Sequence, residues 1–300
     1  MTPTPSPAPS SPLGRLALSA APPAFVLLWS TGFLGAKFGL PYAEPLTFLL
    51  ARFVCTTSVL LVIAAVLRSP WPRRPADVAR IALVGVLIHG FYLGGVFIAI
   101  DFGVPAGIAA LMGGLQPVLT AVASGPYLGE RVRGRQWLGF ALGLAGVALV
   151  VSDKLNMTAA NDIYGIVSLT VALAGITGGT LYQKRHGGGM NIVTGSAIQF
   201  GTVAVLFLPL VLIFETARIE WTAHFVFALA WLTLVLSIGA ISLFYFLIKR
   251  GAAANVASLF FLIPGVTALL AWLLFGETLG LVAIAGMAVA AIGVALVTRG

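Results

Sequence analysis

Long apolar runs dominate the chain, broken at short intervals by charges and turn residues. The runs cover 22–40, 46–67, 78–100, 105–128, 137–152, 163–182, 191–214, 224–247, 253–275 and 280–298. Each is close to the ~20 apolar residues that a helix needs to cross a bilayer. The breaks carry strings such as RSPWPRRPAD (68–77), GERVRGRQ (129–136), QKRHGGGM (183–190) and ETARIEWTAH (215–224), and no link is long enough for a domain outside the membrane. The pattern predicts an all-α membrane protein of ten transmembrane helices. Residues 1–20 read as a disordered tail, its first twelve (MTPTPSPAPSSP) rich in Pro and Ser and without the apolar stretch of a cleaved signal.

Composition excludes the other classes. Charged residues are 9 % and hydrophobic residues 59 % of the 300, against roughly a quarter charged in a soluble domain. Too few polar groups exist to cover a soluble surface, so neither a soluble enzyme nor a nucleic-acid binder fits, and the expected partners are a small-molecule substrate and the lipid bilayer. The lone cysteine, Cys55, cannot form an intramolecular disulfide.

The net charge of +8 records orientation. Thirteen of the 17 Lys and Arg fall in the tail, the C-terminus and the even-numbered links, and three (Lys37, Lys154, Arg218) on the other side; Arg52 lies within a run. By the positive-inside rule both termini are cytoplasmic.

The chain also repeats. At an offset of 147, QPVLTAVASGPYLGE (116–130) lies over IPGVTALLAWLLFGE (263–277), with Pro117 on Pro264, Thr120 on Thr267, Gly129 on Gly276 and Glu130 on Glu277; VALV recurs at 147–150 and 294–297. The same offset places Lys37 on Lys184 and Arg52 on Gln199. Five runs per half is an odd number, so the halves 21–152 and 153–300 are expected to have opposite topology, as two inverted five-helix repeats around a central cavity. Inverted repeats are a common plan of secondary transporters.

WSTGFLGAKFGLPYAEPLTFLLARF (29–53) and the twice-used P…(L/F)GE…G…GVAL(V) string resemble the drug/metabolite transporter superfamily, in particular its ten-helix exporters with two EamA-type halves. Within it the chain looks most like the YddG-type group of aromatic amino-acid and paraquat exporters. The resemblance covers nearly all of 22–298. It implies a multi-pass exporter of the bacterial inner membrane, moving small amphipathic metabolites, amino acids including aromatic ones among them. Other drugs or metabolites remain alternatives.

Candidate chemistry lies at mid-depth. Pro117 and Pro264 each remove an i→i−4 hydrogen bond, freeing the carbonyls of Gly113 and Phe260, and read as kinks and hinges. His89 and Tyr92 share a helical face, with His89 either facing substrate or satisfied by a neighbouring carbonyl. Arg52 sits roughly 10 Å into its run, where it either pairs structurally, with Glu44 the nearest acid in sequence, or binds a substrate carboxylate. Trp29, Gln116, Gln199 and Tyr245 complete the expected binding residues, and Gly32, Gly178, Gly179, Phe91, Phe97 and Phe244 offer small and aromatic walls. Lys37 and Lys184, near run ends, read as snorkelling to head groups. Gly139, Gly143 and Gly146, with Gly286, Ala290 and Gly293, form small-xxx-small stripes for close packing within the repeat or in a dimer, leaving a monomer or weak homodimer.

None of the nine acids falls at mid-span. A proton-coupled transporter usually keeps a carboxylate in its pathway, so the expectation is a facilitator, or one using His89. No metal-ligand set or cofactor motif is present, and an intramembrane enzyme lacks the paired acids or nucleophile–base pair it would need. A channel remains an alternative.

Overall fold

The computed structural model describes residues 12–104, 106–152, 163–275 and 280–299. These residues are helical throughout, apart from links and one isolated bridge between Ala43 and Ile219. Helix α1 spans Pro12–Gly39 and α2 Pro45–Val66. Helix α3, Pro75–Asp101, contains a π turn at Val86–Leu93. Helices α4 (Ala106–Leu128), α5 (Gly134–Ser152), α6 (Ile163–His186) and α7 (Ile192–Phe214) follow. Helix α8, Ala223–Arg250, holds a second π turn at Leu232–Ala240. Helix α9 is broken: an α segment Ala253–Ser258, a 3-10 turn Leu259–Leu262 and a longer α segment Ile263–Phe275. Helix α10 is Leu281–Thr298.

Eight of these helices are long and apolar enough to cross a membrane by length and composition; α4 and α5 are further apolar helices. Large apolar side chains such as Val62, Val205, Phe214 and Leu281 point away from the bundle. Such a surface suits lipid and not water, so the molecule is a multi-pass integral membrane protein. Helix α1 begins at Pro12, so it takes in residues 12–20 that composition assigned to the tail.

The helix ends show why the chain breaks where it does. Pro45 and Pro75 occupy first helical positions, where a missing N–H costs nothing. Asn191 caps α7, accepting from Val193 N (3.0 Å) and Thr194 N (3.2 Å). The start of α2 is capped from a distance: Glu215, beyond the end of α7, accepts from Leu46 N (2.8 Å), Thr47 N (2.6 Å) and the Thr47 hydroxyl (2.7 Å). Glu44 returns the favour, accepting from Thr216 N and its hydroxyl at 2.7 and 2.5 Å. Helices α2 and α7 therefore run antiparallel and are tied at one end.

At the other end, which carries Arg68, Arg73, Arg74 and Arg80 and is called the basic end below, Gly129 turns with φ +72° and delivers Glu130 to the start of α9. The Glu130 carboxylate accepts from Ala253 N at 3.0 Å. Burial raises its pKa above the usual carboxylate value, opposed by that amide and by Lys184. Lys184 does not snorkel, as its position in sequence suggested. Its ammonium donates to the carbonyls of Ile248 (2.9 Å) and Gly251 (2.6 Å), closing the C-terminus of α8. Of Lys37 only the backbone is described, and Asp153, Lys154, Asp162 and Glu277 lie outside the described residues.

The small-residue stripes meet each other inside the chain. A Cβ on Gly139 would lie 2.7 Å from the Gly293 carbonyl oxygen, and one on Gly286 2.7 Å from that of Gly146. Helices α5 and α10 thus touch backbone to backbone, so the stripes join the two halves of the chain, neither packing within one half nor standing free as a dimer face.

The two prolines differ. Helix α4 runs through Pro117 without interruption. Pro264, expected in a helix interior, is the second residue of a new segment after the 3-10 turn. The Phe260 carbonyl is not left free, because Ile263 N donates to it. The 3-10 turn supplies the i→i+3 bonds that an α-helix could not make across a proline.

Candidate functional site

The π turns of α3 and α8 face one another across α1 and α2. In a π turn the backbone bonds run i→i+5, which inserts a residue and re-aims the side chains around it. The α3 turn presents His89 and Tyr92; the α8 turn presents Leu236 and Ser237. Helix α1 adds Trp29, Gly32 and Ala36, and α2 adds Arg52. All of these except Ser237 line, with Phe97 and neighbouring apolar residues, a cavity of about 50 Å³. That is room for one or two waters, well below the ~300 Å³ of a ligand-filled pocket. As it stands the pocket is too small for a metabolite.

Arg52 is 3 % exposed. Its Nε donates to the Ser237 hydroxyl at 2.9 Å, binding α2 to the α8 turn. Glu44 is not its partner, being engaged with Thr216. Among the described residues no carboxylate comes within ion-pair distance of Arg52; the Arg80–Asp77 pair at 3.3 Å is at the exposed basic end. A guanidinium without a counter-ion at this depth is costly, and the adjoining cavity is where an anion would reach it.

His89 is fully buried; no well-formed hydrogen bond reaches either ring nitrogen among the described residues, and the Gln199 side-chain amide is its polar neighbour. The alternative of a histidine satisfied by a carbonyl is therefore not what the structure shows. Its ring stacks on Phe200 with centroids 4.0 Å apart and planes at 18°. A buried imidazole without a well-formed hydrogen bond is uncommon.

Aromatic rings make the rest of the wall. Trp29 Nε1 donates weakly to the Tyr92 hydroxyl at 3.4 Å, and the two rings lie 6.3 Å apart at 22°. Behind Trp29 stand Phe25, Phe244 and Phe260, each 5.2–5.6 Å from its centroid. The packing holds the indole in one orientation.

The other expected residues lie elsewhere. Gln199 and Tyr245 are buried, not on the cavity wall but bonded to each other, with the Tyr245 hydroxyl donating to Gln199 Oε1 at 2.6 Å; the Gln199 amide lies beside His89. Gln116 is buried on α4, where its Nε2 reaches Thr120 Oγ1 at 3.4 Å and its carbonyl oxygen has no partner. Neither Pro117 nor Pro264 touches the cavity. Phe97 lines it, Phe91 is exposed on the opposite side of α3, and Gly179 packs against Ile88. Sequence reasoning did not single out Ser237, Leu236 or Phe200. Ser237 had one available signal, since it is a polar residue in the middle of an apolar run. Among the described residues no three His, Cys, Asp or Glu gather as a metal site.

Comparison with known proteins fits a membrane carrier. A family model, the EamA-like transporter family, matches twice, over residues 23–152 and 163–299. The chain is 28 % identical over 286 residues to the uncharacterized transporter YvbV of Bacillus subtilis (strain 168), covering 91 % of this chain and 88 % of the other. It is 27 % identical over 264 residues to a probable amino-acid metabolite efflux pump of Escherichia coli (strain K12), covering 85 % of both. A solved crystal structure superposes with a TM-score of 0.74 at 21 % identity, covering 95 % of this chain and 98 % of that one, a likeness of fold.

Proposed function

Since the chain belongs to the EamA-like transporter family of the drug/metabolite transporter superfamily, we propose that it exports small amphipathic metabolites bearing a carboxylate, amino acids with aromatic side chains foremost. The carrying observation is Arg52: a buried guanidinium on a cavity wall, held by one serine and no acid. A substrate carboxylate supplies the missing charge in a dry site, where charge-assisted bonds are strongest. The His89 ring adds a donor or acceptor, and Trp29, Tyr92 and Phe97 offer flat apolar walls.

Alternating access is the mechanism that fits a cavity too small for its cargo. Ten crossings in two inverted halves would let the site open to each side in turn. Shifted by the 147-residue offset, Val86–Leu93 falls on 233–240, inside the second π turn, and Thr47 falls on Thr194. Thr47 bonds Glu215 beyond the end of α7, and Thr194 bonds the Pro70 carbonyl beyond the end of α2. These matched contacts support the inverted-repeat reading, with the basic end in the cytoplasm. The described cavity wall holds no carboxylate, which supports a facilitator over proton exchange through a buried acid.

Counterflow in proteoliposomes tests this. Vesicles preloaded with phenylalanine should take up labelled phenylalanine saturably, and Arg52→Gln should weaken its affinity more than about tenfold at equal protein. A panel of amino acids with no counterflow overturns the proposal; flux that rises linearly without trans-stimulation favours a channel. Uphill efflux driven by a pH gradient alone, surviving in His89→Ala, would overturn the facilitator.

A further inference from the structure

The basic end holds a second cavity, of about 380 Å³, that the site above does not use. The link after α2 and the turn between α6 and α7 build it. Trp71, Asp77 and Arg80 stand at its wall with Gln183, Met190 and Thr194. Trp71 and Arg80 are solvent-exposed and Asp77 half-buried, whereas Gln183 and Thr194 are buried.

Met190 is the point where this cavity meets the protein interior. Its thioether accepts from Gln183 Nε2 at 3.9 Å and from Gln199 Nε2 at 3.8 Å. Gln199 also accepts from Tyr245 and lies beside His89, which lines the central cavity. Met190 therefore stands between the outer cavity and the Gln199–Tyr245 pair behind the central cavity. Nearby glycines make its room. A Cβ on Gly187 would lie 2.6 Å from Gln183 Cδ, and one on Gly195 would overlap the Met190 side chain. Ser196, next in sequence and one turn from Gln199 on α7, is buried with an unbonded hydroxyl.

We propose that the basic-end cavity is the vestibule through which solute reaches the central site, and that Met190 is its gate. The proposal rests on the transport reading. Methionine suits a gate: it is unbranched, fills an irregular gap, and leaves it by rotation about single bonds without breaking a strong bond. A sulfur acceptor holds two glutamine amides more loosely than a carbonyl would. The vestibule wall carries the Arg80–Asp77 ion pair beside the Trp71 indole, a polar and aromatic mouth wide enough for a small amphipathic solute.

Thiol labelling tests the gate without requiring flux. In a Cys55→Ser background, Ser196→Cys replaces a hydroxyl that has no bond to lose. A membrane-impermeant maleimide added to sealed vesicles at the basic-end face should label it slowly. Met190→Ala should raise the rate at least tenfold from that face only. Met190→Leu, which fills the same space, should leave it slow, and Trp71→Cys at the mouth should label fast in all three backgrounds. Gln199→Cys serves as a second reporter if Ser196→Cys fails to accumulate. An unchanged rate in Met190→Ala, or labelling from the opposite face, overturns the gate. If wild-type vesicles show no counterflow while labelling responds as expected, the gate stands and the transport reading falls. If counterflow is present and labelling does not respond, the gate alone falls.

Discussion

The π turns of α3 and α8 share a backbone irregularity and differ in what they display. The first carries His89 and Tyr92 into the cavity; the second carries Leu236 to the same wall and offers Ser237 to Arg52. Both turns open the helix, so both re-aim side chains, but the polar and aromatic groups sit on the first and the second acts as a support. The two turns share a backbone form but not side chains, so the two sides of the cavity are chemically unequal.

The comparison can be broken in steps. The largest effect should come from Arg52→Gln, which removes the charge both turns converge on. Counterflow affinity for an amino acid should fall more than about tenfold, as expected for hydrogen bonds to a charged group, while affinity for the corresponding amide changes little. His89→Leu should come next, with about fivefold weaker binding and a melting temperature unchanged or raised, because no well-formed hydrogen bond is lost in the substrate-free protein. A lower melting temperature would mean that His89 is structural. Ser237→Ala, on the supporting turn, should weaken binding about threefold by loosening Arg52, an effect of under 1 kcal/mol. The smallest should be Tyr92→Phe, at about twofold, since its bond to Trp29 is long at 3.4 Å. Were Ser237→Ala or Leu236→Ala to match His89→Leu, the division of labour between the turns would be wrong.

Much of the fold was legible because the bilayer imposes length and hydropathy on each crossing. All ten apolar runs are helical among the described residues. The pairing of His89 with Tyr92, and of both with Trp29 and Arg52, was also legible, because polar groups at mid-depth have few places to go. The π turns were not. VLIHGFYL and LTLVLSIGA read as ordinary apolar helix, and the extra residue shows only when the backbone is traced. Lys184 misled because its acceptors, the carbonyls of Ile248 and Gly251, are distant in sequence. Pro264 misled for another reason: its partner by repeat, Pro117, lies within continuous helix, and nothing in the local sequence says that Leu259–Leu262 tightens to a 3-10 turn.

The seam between α5 and α10 has a consequence for comparing relatives. Gly146 and Gly293 meet backbone atoms of the facing helix, not side chains. A larger residue at either position cannot be rescued by a smaller one opposite, because nothing opposite can shrink. Compensating pairs of substitutions should therefore be rare across this seam. A covariation map drawn from an alignment would leave one of the tightest helix contacts in the molecule almost blank.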